Sequence, residues 1–298
     1  MLHGNAFAQQ TFRTTIQSLQ QDGNNRPVFL VLTGPENIGK TTAAQEIVKG
    51  LLGSFFASDF LWIQDLTQLL GKKHSIKVGD KSETNIIELS DGTEYEDKSI
   101  REVINRLQRS SASGKKILLL ENIERMTIGA ANAFLKAAEE PLSGRIIIAT
   151  TTHVSHIMPT IVSRAIIIPF QALTSGEIDA FIDDADISLP AGELKNFYKR
   201  MAMGRPGVLL RLANLDTPMQ QVFLSALQAL QSKQSIHDMY APLLKIHKAG
   251  YLSIFLDAWI AQITAADSIQ ARHWIQVKKQ LQSNVNPDRI LLAGLLAI

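Results

Sequence analysis

"GPENIGKTT", Gly34 to Thr42, follows directly on "PVFLVL", Pro27 to Leu32, and decides how the rest of the chain reads. Gly34, Gly39, Lys40 and Thr41 fill every fixed position of the pattern Gly-x4-Gly-Lys-Ser/Thr. The apolar run ahead of it predicts a buried strand. Behind it Ala44, Ile47, Val48, Leu51 and Leu52 recur at helical spacing, and Gly53 closes the stripe. Between a strand and a helix, such a loop aims backbone N–H groups and a helix N-terminus at an anion. Pro35, Glu36, Asn37 and Ile38 would wrap the phosphates, with Thr42 in the first helical turn. Lys40 would reach the β- and γ-phosphates, and the Thr41 hydroxyl would ligate Mg. The expectation is bound ATP with Mg; the plainer alternative is a glycine turn with a solvated lysine.

Further apolar runs follow at "FLWI" (Phe60 to Ile63), "ILLL" (Ile117 to Leu120), "RIIIAT" (Arg145 to Thr150) and "AIIIPF" (Ala165 to Phe170). Continuous runs, rather than alternation, suit strands buried on both faces of a parallel sheet. Helical stripes separate most of them, at Ile100, Val103, Ile104 and Leu107, and at Ile128, Ala131, Leu135 and Ala138. The second of these has Thr127 as its expected N-cap and Pro141 as its stop. Alternating strands and helices predict a layered α/β domain with right-handed crossovers. The polar stretch from Gly71 to Lys98 contains an Asp91-Gly92 hairpin signal. After about Leu173 the strand-like runs stop, and the remainder reads as helices, the last opened by Asn286 as N-cap and Pro287 at the first helical position.

Composition removes several classes of function. The chain has 298 residues, 45% hydrophobic and 19% charged, enough for two or three globular domains. Thirty Lys and Arg against 28 Asp and Glu leave a net charge of +2, too little for a free-standing DNA binder. With no cysteine there is no disulfide, thiol nucleophile or Cys-ligated zinc site. No segment approaches the roughly 18 apolar residues of a membrane span, and the expectation is a soluble, cytoplasmic protein.

"KKILLLENIERMTIGAANAFLKAAEEP" and then "IIIATTTHVSHIMPTIVSRAIIIPF" resemble the AAA+ subunits of the bacterial DNA polymerase III clamp loader. The resemblance extends back through the phosphate loop and "SIREVINRLQ" and forward to "GRPGVLLRLA", about two thirds of the chain. It implies an α/β AAA+ P-loop core with a parallel sheet over residues 1–173, a small helical lid over 174–214 and an all-α collar domain over 215–298. The likeness is greatest to delta-prime. The related motor subunits, gamma and tau, usually carry Asp-Glu where this chain has Glu121-Asn122. They also carry a Cys-ligated zinc module that is missing here, and an arginine where Gly207 falls; Arg205 stands two positions away as a possible substitute.

The resemblance also assigns roles. Glu121 stands at the Mg-side acid position and Asn122 at the position of the water-activating glutamate. Thr151, with Thr150 as the register alternative, matches the sensor of the γ-phosphate. Arg164 matches the arginine finger offered to a neighbour's ATP. Against these stand simpler readings: polar residues ending a strand for Glu121 and Asn122, ordinary strand-end threonines, and a local ion pair at a helix C-terminus for Arg164. An amide orients water but cannot take its proton, so weak or absent hydrolysis is expected at the chain's own site. Glu124, two residues further on, is expected in the next turn, from which it would serve only if the strand end were displaced. The implied partners are gamma/tau and delta in a hetero-oligomer, and a sliding clamp and primer-template DNA through that complex. The alternatives are a gamma/tau-type motor ATPase and a P-loop phosphotransferase. His153 and His156 lack an evident third ligand and read as surface residues.

Overall fold

The computed structural model describes residues 4–21, 28–63, 76–77, 83–84, 100–126, 130–132, 134–135, 142–232, 234–264, 266–281 and 286–296. The chain divides into two compact units, Met1–Ala172 and Leu173–Ile298.

In the first unit, five strands form one parallel sheet in the order β2 (Phe60–Ile63), β5 (Lys116–Leu120), β6 (Arg145–Thr151), β1 (Val28–Thr33) and β7 (Ile166–Pro169). A separate two-stranded ladder pairs β3 (Ile76–Lys77) with β4 (Glu83–Thr84). Alternate residues of each central strand feed opposite apolar layers, as the two-residue period requires. Leu30, Leu32, Ile117, Leu119, Ile146 and Ile148 pack with α1 (Ala6–Gln21) and α2 (Lys40–Leu52). Phe29, Val31, Leu118, Leu120, Ile147 and Ala149 pack on the other side, with α4 (Ile100–Gln108) and with Ala130, Ala131 and Phe134. The Phe29 and Phe134 rings meet edge-on, with centroids 5.5 Å apart. Burial on both faces holds for β1, β5 and β6 but not for the sheet's edges. On β7, Ile166 is 46% exposed and Pro169 is also exposed. An edge strand has a neighbour on one side only, and a strong apolar run does not reveal that.

Residues 130–132 and 134–135 are helical as their stripe predicts; Thr127 and Pro141 lie outside the described residues, as does the Asp91-Gly92 turn. Behind β2, the short helix α3 (Phe56–Asp59) ends in a carboxylate that is 1% exposed. Asp59 accepts from the backbone N–H groups of Ala112 at 3.1 Å and Ser113 at 2.7 Å, pinning the turn that leads into β5. Burial opposes its charge, but the hydrogen bonds from Ser113 and Ala112 and the nearby Lys116 hold its carboxyl below the ordinary aspartate value. Its contribution to stability is therefore full above pH about 4 and is lost as pH falls through the depressed folded value. Asp59→Asn is expected to cost about 1.5–3 kcal/mol at neutral pH and to flatten the acid limb of a stability-against-pH curve. An unchanged acid limb would contradict this account.

Among its described residues the second unit has helices joined by turns and no strand. Thr174 and Glu177 form a reciprocal capping box that opens the helix Ser175–Asp184. Asn286 Oδ1 accepts from the Asp288 N–H at 2.9 Å, which makes Asn286 a cap before Pro287. One apolar cluster runs from Leu173 to Leu295 and is centred on Phe197, Tyr198, Phe223, Phe255 and Trp274.

Candidate nucleotide site

β1 lies inside the sheet between β6 and β7, so the loop leaving its C-terminal end emerges between the ends of two parallel neighbours. That crevice is where open α/β sheets hold ligands. Thr33 pairs in register with Thr151 on one side and Pro169 on the other. The Gly34 N–H donates to the Thr151 carbonyl at 3.2 Å, and the Phe170 N–H to the Thr33 carbonyl at 2.7 Å. Phe170 then passes so close that a Cβ on Gly34 would lie 2.2 Å from its carbonyl oxygen. Gly34 is thus required by the sheet as well as by the motif. Asn5, just ahead of α1, clamps the next residue: its Nδ2 donates to the Gln171 carbonyl at 2.9 Å and its Oδ1 accepts from the Gln171 N–H at 2.7 Å.

Pro35, Glu36 and Asn37 form the exposed rim of the loop, Asn37 with φ 61°, while Ile38 is buried against the α1 and α2 layer. Gly39 takes a left-handed conformation at the N-cap of α2 and provides no side-chain cap. Thr41 and Thr42 follow in an uncapped first turn, where backbone N–H groups lack helical partners and the dipole favours an anion. The Lys40 side chain is buried there, its Nζ donating to the carbonyls of Gly34 at 2.6 Å and Pro35 at 2.7 Å. Burial pushes its pKa down to about 8, opposed by the charges of Glu124, then Glu36, then Glu121. A left-handed glycine, an uncapped helix and a buried lysine held against the loop are the donor set that fits a polyphosphate. Thr41 and Glu121 carry oxygen atoms of the hard kind that Mg takes.

At the end of β5, Glu121 Oε1 accepts from the Trp62 indole N–H of β2 at 2.8 Å. Asn122 turns left-handed at φ 52°, and its N–H donates to Thr150 Oγ1 at 3.1 Å. Thr151 is fully buried at the end of β6, its Oγ1 exchanging hydrogen bonds with the His153 backbone. Thr150 therefore serves the β5 end while Thr151 adjoins the phosphate loop. Glu124 does occupy the following 3-10 turn, Ile123–Arg125. Its side chain nevertheless folds back, and Oε1 accepts from the Thr152 N–H at 3.1 Å and the Thr152 hydroxyl at 3.0 Å. Glu124 is thus in the turn where it was expected, and its carboxylate meets the end of β6.

Arg164 is exposed beyond the short helix Pro159–Val162, with Nη1 donating to the Thr160 carbonyl at 2.7 Å. In the second unit, Arg205 Nε donates to the Ala202 carbonyl at 3.0 Å, closing the helix Glu193–Ala202. His153 and His156 stack edge-on with centroids 5.1 Å apart, and among the described residues no cluster of three His, Asp or Glu could hold a metal. Among those residues, too, no helix is long and apolar enough to cross a membrane. Sequence reasoning missed Asn5, Trp62 and Asp59. Each acts on residues dozens of positions away, and none has a motif signal.

Comparison with known proteins agrees with this architecture. A solved gamma subunit-related protein of DNA polymerase III from Thermotoga maritima superposes with a TM-score of 0.57 over 97% of this chain and 98% of its own, at 17% identity. What the two share is the fold. The tau subunit of DNA polymerase III from Bacillus subtilis strain 168 is 26% identical over 170 residues, 55% of this chain. The delta' subunits of Pseudomonas aeruginosa and B. subtilis are 38% identical over 60 residues and 33% over 76, or 20% and 26% of this chain. These alignments span only 29%, 18% and 23% of the respective relatives. The family model described as DNA polymerase III, delta subunit, matches residues 8–174. Because that match takes in more than half of the 298 residues, from α1 through the phosphate loop to the end of the sheet, the chain belongs to the DNA polymerase III delta subunit family.

Proposed function

We propose that this chain is a clamp-loader subunit of DNA polymerase III, of the delta-prime kind, which binds Mg-ATP and lends Arg164 to a neighbouring ATPase subunit. The observation that carries the reading is a complete phosphate loop, backed by a buried lysine, inside a DNA polymerase III family match. When bound, Mg-ATP supplies a hydrolysable phosphoanhydride. The chain's own residues hold it: loop N–H groups and Lys40 take the phosphates, while Thr41 and Glu121 take the cation. Asn122 at the strand end does not itself take the proton of an attacking water, because an amide is not a base. A gamma/tau-type motor is the second reading, favoured by the intact loop and by the 170-residue alignment to a tau subunit. Gamma/tau, delta, a sliding clamp and primed DNA are the proposed partners, and purification from the native cell should recover this chain with them.

The site is tested by ligand linkage. At about 100 times Kd, Mg-ATP stabilises the folded state by about 2.7 kcal/mol, a rise of roughly 5–10 °C in Tm for a unit of this size. Lys40→Ala is expected to remove most of that rise. Full retention of Mg-ATP binding by Lys40→Ala would sink the assignment.

A further inference from the structure

The end of β5 has a neutral amide where hydrolysis calls for a carboxylate, yet a carboxylate is close by. Glu124 leaves the 3-10 turn Ile123–Arg125 and reaches the end of β6. Both donors of Thr152 hold Oε1, so the carboxylate is fixed by a residue adjoining Thr151, whose own carbonyl accepts from Gly34. The other oxygen, Oε2, is buried and has no hydrogen-bond partner among the described residues. A buried carboxylate oxygen without a donor is costly unless water or a ligand completes it. Glu124 is also the carboxylate whose charge acts most on the Lys40 ammonium, ahead of Glu36 and Glu121. The acid nearest in effect to the phosphate-binding lysine thus comes from the turn and not from the strand end.

We infer that Glu124 is a catalytic residue of this site, with Oε2 holding the water that attacks the terminal phosphate and Thr152 positioning the carboxylate. This rests on the nucleotide reading above. As the water oxygen bonds to phosphorus, one of its protons passes to Glu124. The bond from phosphorus to the bridging oxygen breaks, and its electron pair leaves with the nucleoside diphosphate. Glu124 then returns the proton to the released phosphate. The Asn122 N–H donates to Thr150 Oγ1, tying the end of β5 to β6 beside that carboxylate.

The test uses the full chain and two readouts: ATP turnover, and melting temperature with Mg-ADP alone or with Mg-ADP plus aluminium fluoride, a mimic of the phosphoryl group in transfer. For the wild type, aluminium fluoride should raise Tm beyond Mg-ADP alone. Glu124→Gln keeps an acceptor for Thr152, so it should retain the Mg-ADP shift. It should lose the additional fluoride shift and about 10²–10⁴-fold of turnover. Thr152→Val removes one donor to Oε1 and should lower turnover about tenfold, the effect of a single hydrogen bond of ordinary strength. Wild-type turnover and an intact fluoride shift in Glu124→Gln would overturn the inference. So would unchanged turnover in Thr152→Val, which decides the matter if Glu124→Gln folds poorly. A wild-type chain that gives the Mg-ADP shift but neither turnover nor a fluoride shift overturns it too, while sparing the nucleotide site. Absence of any Mg-ADP or Mg-ATP shift defeats the nucleotide reading itself, and this inference with it.

Discussion

Arg164→Ala in the assembled complex is expected to depress ATP hydrolysis at the adjoining subunit by about 10³–10⁵-fold, the effect of an arginine finger supplied in trans. The residue is exposed at the end of the short helix that precedes β7. Its guanidinium donates to Thr160 and Ser163, and its exposure keeps the side chain out of the core. Removing it should leave this chain folded and still binding Mg-ATP at its own loop. The loss arises because guanidinium neutralises charge that develops only in the transition state. Arg164→Lys should be nearly as damaging, since an ammonium cannot bridge two phosphate oxygens. Lys40→Ala in the same complex should cost much less. If Arg164→Ala left hydrolysis at wild-type levels while Lys40→Ala abolished it, this chain would be the motor and not its partner.

Gly34→Ala should be the most disruptive single methyl group in the first unit. The new Cβ would stand 2.2 Å from the Phe170 carbonyl oxygen, and the backbone there has φ 147°, a conformation that L side chains rarely adopt. The carbonyl has little room to retreat. Phe170 donates to Thr33, Gln171 is gripped on both sides by Asn5, and the Phe170 side chain is buried. Backbone strain and overpacking each cost about 1–3 kcal/mol, so a loss on the order of 2–5 kcal/mol is expected, with Mg-ATP binding abolished. Gly50→Ala is the control, because its Cβ would meet nothing within 4 Å on the exposed face of α2. That variant should gain about 0.5–1 kcal/mol from helix propensity alone. Denaturant melts of the two variants give the comparison, and equal stability would refute the close approach at Phe170.

What the sequence by itself determined is whatever depends on neighbours in the chain. The apolar run Val28 to Leu32 and the stripe through Ala44, Ile47 and Val48 specify a strand and a helix joined by a short loop, and the structure has Val28–Thr33 and Lys40–Leu52 in those places. The Asn286 cap was legible for the same reason: its bond goes to Asp288, two residues on. Tertiary structure alone decided the rest. Nothing in "AIIIPF" distinguishes an edge strand from a central one, because the difference lies in whether a second strand pairs beside it. The reach of Glu124 was also hidden. Its carboxylate meets Thr152, and that proximity comes from β5 and β6 pairing side by side. Asn5 is the extreme case, bonded to Gln171 across 166 positions of sequence. Local periodicity reports which way a side chain faces; only the closing of the sheet brings distant backbone and side-chain groups within three ångströms, the range over which hydrogen bonds act.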